Sequence, residues 1–298
     1  MYNIDRSEYW ADFEVTKVKN MMDYDYDPTE TYFPVTCIRW YSGAHILTSS
    51  GDGKIKLYNV NEVDSSKKIK HTIDFAGSGI NAIDVDPDKK YFVSGGMDHS
   101  LRVFDYNTMK EKIVYCREPL KPREHSNRIF SVLVDPSNSN IIYSGGWDKS
   151  IMVHDVRKGS SVATFLGPYV SGDTLDISGE VLLAGSYRSY DPMELFDIRT
   201  GDCLTTYQWE KDVDKKGGQI VACQYGHPKF NTILSASSLS HELKLYNRKD
   251  GATLASVKGF SSSMTCIHLD YEGKTCAIGT KKGKTILLSY GKKPEEDE

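Results

Sequence analysis

The sequence predicts an all-β fold: a closed ring of six four-stranded antiparallel sheets, seven being the alternative, with an N-terminal strand completing the last sheet. Three observations predict it. A strand–turn–strand phrase recurs at a spacing of about 40–50 residues, the mark of a repeat architecture. A short strand with a small residue at its third position precedes every copy. The last copy lacks a fourth strand, and the N-terminus has one to spare.

The phrase is plainest in Tyr143-Ser144-Gly145-Gly146-Trp147-Asp148-Lys149-Ser150-Ile151-Met152-Val153-His154-Asp155. It repeats Val93-Ser94-Gly95-Gly96-Met97-Asp98-His99-Ser100-Leu101-Arg102-Val103-Phe104-Asp105, and an earlier copy runs from Leu47 through Asp52 to Asn59. Three further copies follow once small turn insertions are allowed: Leu183 to Asp197, Leu234 to Asn247, and Ala277 to Ser289. Alternation such as Ile55 and Leu57 against Lys54 and Lys56 is the period-2 signal of a half-buried strand.

The strand before each copy places Cys37, Ala82, Ser131, Thr174, Ala222 and Cys266 at its third position. All are small, as expected of strands converging on a crowded axis. The same placement reads Cys37 and Cys266 as packing residues and not as metal or redox ligands. Fourth strands are predicted over 70–75, 112–116, 162–165, 204–208 and 253–257. For the sixth copy, Phe13-Glu14-Val15-Thr16-Lys17-Val18 alternates well and belongs to no other unit. Pairing it there closes the ring and removes exposed edges. The organisation is thus a lead-in over 1–33 containing the closing strand at about 13–18, a ring over 34–290, and a charged tail over 291–298 expected to be disordered.

Bulk properties narrow the function. A net charge of −4 gives no electrostatic footprint for nucleic acid, so no nucleic-acid partner is expected. No apolar run approaches the ~18 residues of a membrane span, so no membrane insertion is expected. The N-terminus has neither a basic nor an apolar signal region, and the six cysteines form no C-x-x-C pair. Reduced thiols and a cytoplasmic location follow as expectations, with nuclear or cytoskeletal and ciliary sites open. The ring is expected to be monomeric on its own.

These residues resemble the WD-repeat family of β-propellers across about residues 13–290. In that family a His before the inner strand, a Ser or Thr in the second strand, an Asp in the next turn and a Trp in the third strand hydrogen-bond together. The third repeat carries His125, Ser144 and Asp148 in those places, with His154 where Trp belongs. The second keeps Ser94 and Asp98, with Phe104; the first keeps Thr48 and Asp52, with Tyr58. The resemblance implies a structural hydrogen-bond role for Thr48, Asp52, Ser94, Asp98, His125, Ser144 and Asp148. Repeats four to six place Arg188, Leu239 and Lys282 at the turn Asp, and no repeat ends in Trp-Asp. Packing must therefore carry the stability.

No catalytic motif is found. The Ser-Gly-Gly stretches lack the following helix and Lys-Ser/Thr of a phosphate loop, no G-x-S-x-G is present, and no close H-x₃-H pair exists. Asp173 is the one acid within the inner strands expected over 35–38, 80–83, 129–132, 172–175, 220–223 and 264–267, a poor start for the metal cage of a propeller hydrolase, and no Arg-Arg pair marks a phosphoinositide site. No cofactor and no metal are expected. The resemblance implies instead a scaffold binding proteins or peptides on one face of the ring. Met97, Arg128, Phe130, Trp147, Tyr187 and Arg188 are predicted to share one sector of that face, and Trp, Tyr and Arg are enriched at binding hot spots. The alternative reading is a substrate receptor of a cullin-4-type ubiquitin ligase. It rests on Asp155-Val156-Arg157 and Asp197-Ile198-Arg199, which resemble the Asp-x-Arg end of the adaptor-contact motif without its Trp. The loop Asp23-Tyr24-Asp25-Tyr26-Asp27-Pro28 reads as a solvated connector.

Overall fold

The computed structural model describes residues 33–289, except 65–66, 117–123, 191, 210–217, 228–230, 271–272 and 274. Among these, 23 strands form six antiparallel sheets arranged radially. The first five are four-stranded: β1–β4 within residues 35–74, β5–β8 within 80–115, β9–β12 within 129–166, β13–β16 within 175–207 and β17–β20 within 220–257. The sixth holds β21 (Met264–Leu269), β22 (Thr275–Thr280) and β23 (Thr285–Ser289). The six-bladed propeller is as predicted. The closing strand expected at 13–18 lies outside the described residues, as does the tail over 291–298.

Local chemistry sets each blade. The turn between second and third strands needs one left-handed residue, supplied by Gly53, His99, Lys149 and Gly283 at φ 84, 65, 60 and 74. The preceding Asp makes that turn affordable for a non-glycine. Asp98 accepts the Ser100 N–H at 3.2 Å, and Asp52 accepts the Lys54 N–H at 3.3 Å. The inner strand carries a bulge at matching places, between Val35 and Cys37, Ile80 and Ala82, Ile220 and Ala222, and Met264 and Cys266. The extra residue turns the strand end toward the axis.

The core lies between blades, not within them. Five buried clusters occupy the five seams from the first–second to the fifth–sixth. In the second seam Val93, Leu101 and Val103 meet Ile129, Val132 and Ile142. In the third, Tyr143 and Phe165 meet Leu182 and Phe196. The fit is close: a Cβ on Gly95 would come within 2.5 Å of Ile129, and one on Gly185 within 2.8 Å of Ile220.

That geometry corrects the reason given for the small third positions. Ala82, Ser131, Thr174 and Ala222 are buried between consecutive inner strands, where the next blade approaches closely. Cys37 Sγ, for example, donates to the Ile83 carbonyl of the next blade at 3.6 Å. The axis itself takes full-sized side chains. Two positions further on, the six strands present Arg39, Asp84, Leu133, Asp176, Gln224 and His268.

Candidate functional site

The predicted binding face condenses around one main-chain hydrogen bond. Trp147 N–H, in the turn of the third blade, donates to Arg128 O at the entry to its inner strand, at 3.0 Å. The bond holds three predicted side chains together. Phe130 stacks on Trp147 with ring centroids 4.9 Å apart, and the Arg128 guanidinium lies over the indole at 5.7 Å. Tyr169, from the connection into the fourth blade, also stacks on the indole, at 5.7 Å. Such contacts are each worth about 0.5–1.5 kcal/mol beyond area burial. The tier is therefore pre-ordered before any partner arrives. Arg128 itself is exposed.

The other three predicted residues stand apart from this tier. Tyr187 N–H donates to Tyr169 O at 2.8 Å, which ties the next turn to the tier through backbone alone. Arg188 turns away, donating to Ser186 Oγ at 3.0 Å and to Glu194 Oε2 at 2.9 Å. It takes the place of the missing turn Asp by holding its own turn with a cation. Met97 is 39% exposed on the second blade, its sulfur against Gly79. Sequence reasoning missed Tyr169, which sits in a connector with no counterpart in the other repeats.

The predicted hydrogen-bond network forms in the third blade alone among the three. His125 Nδ1 pairs with Asp148 at 2.7 Å, and His125 Nε2 with Ser144 Oγ at 2.7 Å. Ser144 meets His154 Nε2 at 2.7 Å, so His154 fills the Trp role. It also extends the chain: its Nδ1 lies 2.9 Å from Ser161 Oγ, which donates to Glu124 at 2.5 Å. Asp148, His125, Ser144, His154, Ser161 and Glu124 thus form five consecutive hydrogen bonds with a carboxylate at each end. Two neutral imidazoles and two hydroxyls supply four protons, and five bonds need five. One further proton on the chain completes all five. Burial, and then the His125 charge, push the His154 imidazole well below its usual range, so His154 is neutral.

In the first and second blades Thr48 and Ser94 are buried but enter no such network. Thr48 Oγ1 reaches only the Lys56 carbonyl at 3.5 Å, and Ser94 Oγ has no hydrogen-bond partner among the described residues. The reason is the third-strand residue: Tyr58 and Phe104 bring no ring donor to that point. Asp52 and Asp98 are satisfied within their own turns, by Lys54 Nζ at 2.9 Å and by Arg102.

Arg157 and Arg199 are likewise folded onto their turns. Arg157 chelates Asp155 at 2.8 and 3.1 Å, and Arg199 reaches Asp197 and Glu180, each at 3.3 Å. They lie on separate blades.

Around the axis, Arg39 Nη2 donates to both oxygens of Asp173 at 2.9 Å, and its Nε lies 3.5 Å from Asp84. Three further side-chain contacts run from blade to blade. Asp84 accepts the Val134 N–H at 2.8 Å, Asp176 the Tyr225 N–H at 2.7 Å, and Gln224 the Leu269 N–H at 3.1 Å. Burial raises the Asp84 carboxyl above its usual range and that of Asp176 to about 6. These acids are structural fasteners, and the described residues hold no cluster of His, Cys, Asp and Glu arranged for a metal. Asp84 and Asp176 lie just beyond the stretches compared in the sequence; extending each by one residue would have exposed the ring.

A family model for the WD domain, G-beta repeat, matches residues 27–59, 67–105 and 117–155, the three blades with the turn Asp. The chain has a WD40-repeat β-propeller fold. The propeller is 28% identical over 192 residues to "Pre-mRNA-processing factor 19" of Mus musculus, covering 63% of this chain and 35% of that protein. It is 26% identical over 210 residues to "Periodic tryptophan protein 2 homolog" of Dictyostelium discoideum, covering 67% and 21%. It is 24% identical over 270 residues to "U3 small nucleolar RNA-associated protein 15 homolog" of Gallus gallus, covering 85% and 44%. The chain therefore spans less than half the length of these relatives. Among solved structures it is similar to the computationally designed Ika8 protein, with a TM-score of 0.64 and 18% identity over 86% of this chain and 70% of that one, a likeness of fold alone.

Proposed function

We propose that the propeller is a non-catalytic scaffold that docks a protein or peptide on the Arg128–Phe130–Trp147–Tyr169 tier, as one component of a multiprotein assembly. The observation that carries this is the pre-stacked aromatic tier with an exposed guanidinium on it. A rigid, amphipathic surface of this kind engages a partner at low ordering cost. The names of the relatives refer to pre-mRNA processing and to the U3 small nucleolar RNA, which favours an RNA-processing assembly as the setting. A net charge of −4 favours a protein contact within it over a direct RNA contact. The pairing of Arg157 and Arg199 with their own turns gives the ligase-receptor reading no added support.

Affinity purification from the native source tests the reading, with Trp147→Ala and Arg128→Ala run in parallel. A partner set lost from both variants, each still folded by circular dichroism, is the expected result. Identical partners in all three samples would move the interface off this face.

A further inference from the structure

The face of the ring that bears the aromatic tier leaves its cations unpaired and its acids satisfied. Asp52 pairs with Lys54 at 2.9 Å, Asp98 with Arg102, and Asp148 with His125 at 2.7 Å, each within its own blade. Asp148, whose side chain is 5% exposed, also accepts the Ser126 N–H at 3.0 Å and the Ser150 hydroxyl at 2.9 Å. Asp74, the one exposed acid on this side among the described residues, ends β4 two blades away. Arg128 and Lys149, in contrast, are exposed and make no ion pair among the described residues. The same holds for Lys281 and Lys282 in the matching turn of the sixth blade. Acids crowd the turns of the opposite face instead, with Asp86, Asp88, Asp105, Asp135, Asp155 and Asp197. A net charge of −4 therefore conceals a cationic sector around Trp147.

We propose that the occupant of this face is an acidic segment of a partner protein, with an aliphatic or aromatic side chain seated on the exposed part of the tier and carboxylates on Arg128 and Lys149. The inference rests on the docking of a partner at the tier. Lys149 stands two residues beyond Trp147 in the same turn, and Arg128 is tied to Trp147 by the main-chain bond at 3.0 Å. Charge complementarity selects the acidic class. A basic segment would meet two unpaired cations, and like charges brought together at an interface cost affinity. Arg128 offers a planar fork that fits a carboxylate through two parallel hydrogen bonds. Lys281 and Lys282 add to the field that draws an acidic segment to this face. Nucleic acid is anionic too, but single strands are held by bases stacked on open ring faces. Trp147 already carries Phe130, Tyr169 and the Arg128 guanidinium, at 4.9, 5.7 and 5.7 Å, which leaves little ring face for a base.

The test selects phage-displayed random peptides on the full-length protein and measures the enriched sequences, made with fluorescein, by anisotropy. They are titrated against the unmodified protein, Arg128→Glu with Lys149→Glu, and Trp147→Ala, each checked for folding by circular dichroism. The expected peptides are rich in Asp and Glu next to Leu, Phe or Trp. The double reversal is expected to weaken them about tenfold, and added salt to weaken them on the unmodified protein. Enriched peptides without acidic residues that still require Trp147 overturn this proposal and leave the docking tier in place. Peptides that bind all three proteins equally overturn both. Failure to enrich any peptide overturns the proposal as well, as does an oligouridylate held through Arg128 and Lys149 more tightly than every peptide. Should the double variant not fold, Lys149→Gln, a neutral change at an exposed side chain, gives the same readout with a loss of about threefold.

Discussion

Arg39 and Asp173 stand in the first and fourth blades and meet over the axis, one guanidinium nitrogen 2.9 Å from each carboxylate oxygen. Removing Arg39 leaves Asp173 and Asp84 without their shared cation, and removing Asp173 leaves Arg39 with Asp84 alone. Both side chains keep partial solvent access, so the cost falls below that of a fully buried pair. Arg39→Met is expected to destabilise the propeller by about 1–2 kcal/mol, and Arg39→Met with Asp173→Asn by less than the sum of the single changes. Urea denaturation of the four proteins in this cycle measures the difference.

Asp176 introduces a pH dependence of known sign. Its carboxyl titrates at about 6 in the folded chain and near 3.9 when unfolded. The folded state therefore holds this proton more tightly, and its contribution to stability is present at low pH and is lost as pH rises toward and through 6. Asp176→Asn is expected to remove that component, on the order of 1–2 kcal/mol. The comparison is of denaturation midpoints at pH 5 and pH 7.5. An equal pH slope in the two proteins would contradict the assignment.

His154 acts in the opposite direction. Its folded imidazole is held neutral well below the usual value, so the unfolded chain binds the extra proton first. Stability is lost as pH falls below about 6.5, by up to ~1.4 kcal/mol per pH unit. His154→Trp restores the residue usual at this place in the family and is expected to flatten the acid limb. Nitrogen-15 NMR of the unmodified protein should show a single proton on the His154 ring near and below neutrality.

Gly146 couples the fold to the candidate site. A Cβ there would lie 2.3 Å from Arg128 O, the acceptor of the Trp147 N–H. Gly146→Ala must push the two strands apart and break that bond, at a cost of roughly 1–3 kcal/mol. Partner capture should weaken along with the melting temperature. Arg128→Ala, in contrast, removes an exposed guanidinium and should affect capture with little change in melting temperature. The two variants separate a damaged scaffold from a damaged contact.

The strands and the blade count were legible because each repeat writes its own period: Lys54–Ile55–Lys56–Leu57 alternates, Asp98 sits two residues before the N–H it accepts, and Gly95 and Gly145 recur where the next blade presses. The three-blade agreement at the turn Asp was legible for the same reason. What the sequence hid lay between repeats. Tyr169 belongs to an irregular connector, and only the folded ring brings it onto Trp147. Arg188 is two residues from Ser186 and six from Glu194, but nothing local announces that it will hold them and so turn from the predicted face. The pairing of Arg39 with Asp173 spans 134 positions, and no periodicity predicts which blades face each other over an axis.

The side-chain fasteners at Asp84, Asp176 and Gln224 all point the same way round the ring, each gripping a main-chain N–H of the blade that follows. Such a joint asks nothing of the successor's side chains, since every repeat offers that amide. A unit bearing its own clasp can be copied behind any neighbour without matching residues having to arise in the other. Tandem duplication of one module then yields a working joint at once. The divergence among these blades, with Leu133 in place of a clasp and three turns without their Asp, records how far a ring assembled in this manner can drift while its members remain joined.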